Sequence, residues 1–170
     1  MRREVVRAAL LLALLLMVQS LRFVMPLPPF ISMFAIGAMV NACLLISLEV
    51  AGWRLTMLSA SIAPVIAYMQ QVLPLPILIF PVAAANLAYL AGYAALRRQN
   101  VWLGIAVATA AKIILLWASM NLLLASLELP PAAATMLQNM LGASQLVTGL
   151  GGGLLCIFLM RRLQQAGRMR

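Results

Sequence analysis

Long apolar runs leave this chain almost no room for anything else. A helix needs about 20 apolar residues to cross a bilayer, and six such runs, parted by short breaks, take up nearly all of its 170 residues. With 65% hydrophobic and 9% charged residues and a mean hydropathy of +1.07, a soluble domain of this size has too little interior to hide its apolar surface. Backbone polar groups in hydrocarbon must be satisfied within their own segment, so the runs read as helices. The expected fold is all-α, one domain over 1–170. It is an integral membrane bundle of six transmembrane helices at 5–24, 31–50, 55–72, 77–96, 101–125 and 133–160.

The basic start and the apolar stretch from Ala8 to Val18 also describe a secretory signal, but no Ala-x-Ala cleavage site follows, only Gln19, Ser20, Leu21 and Arg22. The first run is therefore read as a span. The breaks between runs are of two alternating kinds: proline pairs at Pro28-Pro29, Pro74-Leu75-Pro76 and Pro130-Pro131, and arginine turns at Arg54 and Arg97-Arg98, with Arg161-Arg162 closing the last run. Lys and Arg concentrate in cytoplasmic loops. An N-in, C-in arrangement places Arg2, Arg3, Arg7, Arg54, Arg97, Arg98, Arg161, Arg162, Arg168 and Arg170 inside and leaves only Arg22 outside. Proline loops are stiff and suit either a cover over a cavity or plain helix termination.

The net charge of +9 does not point to nucleic acid, because the arginines sit at the ends of apolar runs and form no basic groove. There is no His, and the only acids are Glu4, Glu49 and Glu128, so the usual inventories for proton transfer and for metal ligation are almost empty. Neither an enzyme nor a metal site is expected. Cys43 and Cys156 fall within apolar runs and read as small buried hydrophobes. The run Gly149-Leu150-Gly151-Gly152-Gly153 lacks the Lys-Ser/Thr of a phosphate loop and reads as close helix packing.

Lys112 is the exception to all this. It is the one charged residue deep inside an apolar run, where an ionisable side chain costs roughly 2.5–3.5 kcal/mol on insertion scales and marks a functional site by default. Counting about 1.5 Å per residue from the helix ends, Asn41, Asn86, Lys112 and Gln145 fall near the midplane, level with the Pro64 break in the third run. Gln138, Gly142, Gln145, Thr148 and Gly152 recur at helical spacing, with Asn139 beside them. Glu49 and Glu128 both lie many residues from that depth. Lys112 is thus either a structural lysine held by amide oxygens or a contact for an anionic ligand, and the convergence of polar groups at one depth favours the ligand. A channel would need charged rings or a continuous polar path, and the inner half of the runs supplies neither.

The chain resembles the substrate-binding S components of the energy-coupling-factor transporters over nearly its whole length. The likeness rests on size and topology, on Ala9-Leu-Leu-Leu-Ala13 in the first run, on Gly37-Ala-Met-Val-Asn41 in the second, and on Gln145-Leu-Val-Thr-Gly149 with its following glycines. The resemblance implies a bacterial cytoplasmic-membrane subunit, surrounded by membrane lipid, that captures a vitamin or a vitamin precursor from outside. Its partners would be a transmembrane T component and two ATPase subunits that use the ATP, with no cofactor in this chain. It implies docking of Ala9 and Ala13 on the T component, and a small-molecule pocket, for a substrate that Lys112 permits to be anionic, drawn from Asn41, Asn86, Lys112, Trp117, Gln138, Asn139 and Gln145. The chain departs from vitamin-specific members in having few aromatic and charged pocket candidates, so no substrate is assigned. The rival expectation is a non-transporting scaffold subunit of a bacterial cell-shape or wall-synthesis complex, in which Lys112 and the amides hold helices together.

Overall fold

The computed structural model describes residues 2–24, 28–126, 131–142 and 144–168. They form α1 (Arg2–Val24), α2 (Pro29–Ala51), α3 (Trp53–Met69), a short 3-10 turn (Pro76–Leu78), α4 (Ile79–Leu96), α5 (Val101–Ser126), α6 (Pro131–Leu141) and α7 (Ser144–Arg168). No strand occurs among the described residues. Five stretches, Val5–Val24, Ile31–Ala51, Pro76–Leu96, Val101–Ser126 and Leu137–Gln165, are long and apolar enough to cross a membrane, as in a multi-pass membrane protein. The 17-residue α3 is shorter.

The turns follow from local chemistry. Gly52, at φ +80°, lets the chain reverse between α2 and α3 in a backbone region that side chains rarely tolerate. Asn100 caps α5: its Oδ1 accepts the Trp102 and Leu103 amides at 2.9 and 3.3 Å. Beyond α3, Gln71 takes φ 57°, and the Gln70 side chain donates to Ser20 Oγ at 3.1 Å, tying this turn to α1. Residues next to two of the proline breaks, Ser32 and Leu73, line one cavity at one end of the bundle, and the arginine turns at Arg54 and Arg97 lie at the other. At the arginine end an ion pair between Arg97 and Glu49 joins the end of α4 to α2.

Helix α2 is the centre of the bundle, with every residue from Asn41 to Leu48 buried; a helix apolar all round is one that neighbours enclose. It packs chiefly on α7 and α1, while α4 packs on α5. The glycines expected to serve packing do so. A Cβ on Gly152 would stand 2.8 Å from the Ala38 carbonyl, and one on Gly149 would stand 2.8 Å from Thr109 Cγ2. Across α4 and α5, a Cβ on Gly92 would stand 2.8 Å from Ala108 Cα.

The last span differs from the expectation. The run over 133–160 is divided: α6 ends at Leu141, Gly142 forms a turn, and α7 begins at Ser144 and continues through Arg161 and Arg162 to Arg168. The third and fourth runs are also trimmed, to Met69 and from Ile79: Gln71 at φ 57° ends α3, and Pro76 opens a 3-10 turn that leads into α4. Cys43 and Cys156 are buried and free.

Gly152→Val is expected to lower the unfolding midpoint of the detergent-purified protein, at an overpacking cost of about 1–3 kcal/mol. Gly151→Ala, whose Cβ would meet only the Ala38 Cβ at 3.3 Å, costs much less. Thermal unfolding of the two variants side by side checks the difference.

Candidate functional site

Lys112 lies on the buried stripe of α5 that also holds Ala108, Thr109 and Leu116, and it is 4% exposed. Its Nζ donates to Asn41 Oδ1 of α2 at 2.7 Å. The same ammonium stands 5.4 Å from the centre of the Tyr89 ring of α4, a distance at which a desolvated cation gains about 2 kcal/mol from the ring face. The Tyr89 hydroxyl in turn donates to the Gly149 carbonyl of α7 at 2.7 Å. One chain of contacts thus runs through α2, α5, α4 and α7, with Lys112 as the link between α2 and α4.

One turn from Tyr89 along α4, Asn86 repairs a different defect. Pro64 sits inside α3 and has no amide hydrogen, so the carbonyl four residues earlier, that of Ala60, loses its helical donor. The Asn86 amide donates to that carbonyl at 3.4 Å. On the other side of α3, the Gln19 amide of α1 donates to the Ala63 carbonyl at 3.1 Å. Thr148 on α7 hydrogen-bonds to the Gln145 carbonyl at 3.4 Å.

Between these groups lies a cavity of about 510 Å³, within the range of small-molecule sites. Its polar base is made by Asn41, Asn86, Lys112 and Thr148, and its walls are largely apolar, with Ile36, Val40, Pro64 and Val82 among them. It reaches the proline-bearing end, where Arg22, Phe23, Ser32, Val72 and Leu73 line it. On the other side of Lys112 the bundle is packed with Leu44, Leu45, Leu90, Tyr93, Ile105 and Cys156. None of the described residues lining the cavity is acidic. Glu49 is engaged with Arg97, and Glu128 lies outside the described residues.

Of the residues proposed from the sequence, Asn41, Asn86, Lys112 and Gln145 all line this cavity. Trp117 and Gln138 do not. Both are exposed, and with Met120, Asn121, Leu141 and Gly142 they border a separate space of about 200 Å³. Asn139 is exposed and lines neither cavity. The polar face anticipated along the last run is interrupted because Gln138 belongs to α6 and Gln145 to α7. Gln19, Arg22 and Tyr89 join the site without having been expected there. Two of them carried a signal: Tyr89 follows Asn86 by one helical turn, and Arg22 is the one arginine at the proline-bearing end in the charge alternation. No family model matches the chain, and no curated protein or solved structure matches it.

Asn86→Ala strips the Ala60 carbonyl of its donor, and a buried polar group left unpaired costs about 1–3 kcal/mol. Pro64→Ala restores a backbone donor to the same carbonyl, so the penalty of Asn86→Ala is expected to shrink in the Pro64→Ala background. A double-mutant cycle on unfolding midpoints measures the coupling; equal penalties in both backgrounds would contradict the pairing.

Proposed function

We propose that this chain is the substrate-capturing membrane subunit of an ATP-driven micronutrient importer of the energy-coupling-factor type, taking a vitamin or a vitamin precursor from outside. The observation that carries the proposal is the cavity, which is lined at the proline-bearing end, ends on Lys112, and is backed by a packed core toward the arginine-bearing end. In this reading α3 also crosses the membrane, as the third of six spans, and both termini are cytoplasmic. The arginine end, with Arg54, Arg97, Arg98, Arg161 and Arg162, faces the cytoplasm of a bacterium, as the positive-inside rule requires. The cavity then faces outward. Catalysis has no place in the reading: the substrate passes through this chain unchanged, and the ATP is hydrolysed by partner subunits.

The partner side of the reading rests on α1. Ala9 and Ala13 are exposed on one face of this helix, beside the exposed Leu10, Leu14 and Met17. Small residues one turn apart let a second transmembrane helix approach closely, and this face is not used for packing within the chain. A scaffold subunit of a cell-shape or wall-synthesis complex would also offer such a face, but it has no need of a cavity ending on an ionisable side chain.

Affinity purification from the native membrane is expected to bring down a multi-spanning T component and two ATPases; recovery of wall-synthesis proteins in their place would favour the scaffold. Replacing Ala9 and Ala13 together by Leu is expected to abolish ATP-dependent uptake in reconstituted vesicles and to leave small-molecule binding within about twofold, since uptake and capture use different faces. Normal uptake by that variant would remove α1 from the docking surface.

A further inference from the structure

The charge and layout of the cavity restrict what it takes. Two cationic side chains line it, Lys112 at the base and Arg22 at the mouth, and neither is paired with a carboxylate among the described residues. Arg22 Nε donates to the Gln19 carbonyl at 3.0 Å within its own helix, and Lys112 has the neutral Asn41 oxygen and the Tyr89 ring. A cationic ligand would bring a third like charge into a low-dielectric space without a counter-charge. An anion supplies the counter-charge that the buried ammonium lacks, and such compensation is where a buried charge gains most.

The distribution of polarity then fixes an orientation. Hydrogen-bonding side chains cluster at the base, around Asn41, Asn86 and Thr148, whereas Ile36, Val40 and Val82 form apolar wall. Polar side chains also line the mouth, Arg22 and Ser32 among them, but the base is where a buried amine stands beside two amides and a hydroxyl. The contacts of α3 order the two cations along the cavity: Asn86, at the base, meets the Ala60 carbonyl, Gln19 meets the Ala63 carbonyl nearer the mouth, and Arg22 follows Gln19 by almost one turn. Arg22 meets the anion on entry and Lys112 holds it at the end.

We infer that the cavity takes an amphipathic organic acid bound acid-first, its carboxylate or phosphate against Lys112 Nζ and its apolar body along Ile36, Val40 and Val82, with Arg22 as the steering cation. This rests on the capture role proposed above and narrows its substrate class.

The test uses the full chain in nanodiscs and an equimolar pool of water-soluble vitamins and precursors of cavity-matching size, comprising carboxylates, phosphates, and their amide and amine analogues. Native mass spectrometry identifies what is retained. The expected result is an acid, with its amide and amine analogues retained at least tenfold less; the carboxylate and phosphate members decide between the two heads. Lys112→Met is expected to lose the acid preference while remaining folded in the nanodisc. Arg22→Gln is expected to slow association several-fold and flatten its dependence on salt with little change in dissociation, because steering acts on encounter; this second variant serves if Lys112→Met fails to fold. Retention of a neutral or cationic compound, or equal retention of acid and amide, overturns the acid-first inference and leaves the capture role standing. Retention of nothing from the pool, or of a phospholipid alone, overturns both.

Discussion

The structure depends on how it accommodates the Lys112 amine in a cavity where none of the described lining residues is acidic. The Lys112 Nζ is held by the Asn41 oxygen and faced by the Tyr89 ring, so the charge is stabilised by a dipole and a quadrupole where an ion pair is absent. Both partners must be placed closely, and the glycines of α7 make this possible. Gly152 lets α7 lie against Ala38 and Asn41 of α2, and Gly149 offers its carbonyl to the Tyr89 hydroxyl while leaving room for Thr109. Side chains at these two positions would push α7 away from α2 and α5 and pull apart the groups around the lysine. The glycine run and the lysine are one device.

A second polar repair works beside the first. Pro64 removes a helical hydrogen bond in the middle of α3, and Asn86 of α4 supplies the missing donor. An asparagine used in this way is committed to a backbone carbonyl through its amide nitrogen and keeps its oxygen toward other partners. Asn41 is committed in the opposite sense, accepting through its oxygen and keeping its amide hydrogens. The base of the cavity therefore offers donors as well as an acceptor, with the ammonium between them. Neither amide is replaceable by an aliphatic residue of the same shape without stranding a buried group.

Much of this was legible in the sequence, and the parts that were not share a cause. Run length and the alternation of proline and arginine breaks locate the helix pairs, because both are one-dimensional signals. Depth is one-dimensional too, since the rise per residue is constant, and so Asn41, Asn86, Lys112 and Gln145 can be placed at one level from their positions in the runs alone. Rotation about a helix axis is different. Where a helix is apolar on nearly every side, as α5 is, no amphipathic stripe says which face is buried, and Trp117, five residues from Lys112, turns outward. Tyr89 was passed over for the complementary reason: an aromatic in a membrane helix reads as packing unless a cation is known to lie over it. The break at Gly142 was hidden because glycine is ordinary in transmembrane helices, and losing it joined Gln138 to Gln145 across two separate helices.

The two ends of the bundle are built for opposite tasks, and this bears on how a captured molecule would leave. On the proline-bearing side of Lys112 lies the cavity; on the other side Leu44, Leu45, Leu90 and Cys156 fill the space and the Glu49–Arg97 pair ties α2 to the end of α4. Opening a path through that side would separate close-packed side chains, whose contacts are individually small and collectively large, and would also strand an ion pair. Moving the whole bundle leaves those contacts intact. Under the proposed function, release inside therefore calls for reorientation of the subunit as a body by partners that hydrolyse ATP. The exposed face of α1, with its two small residues and no packing duty within the chain, is where such a force would be applied. Under the proposed function, a rigid cavity and a need for an external motor would both follow from the same packing.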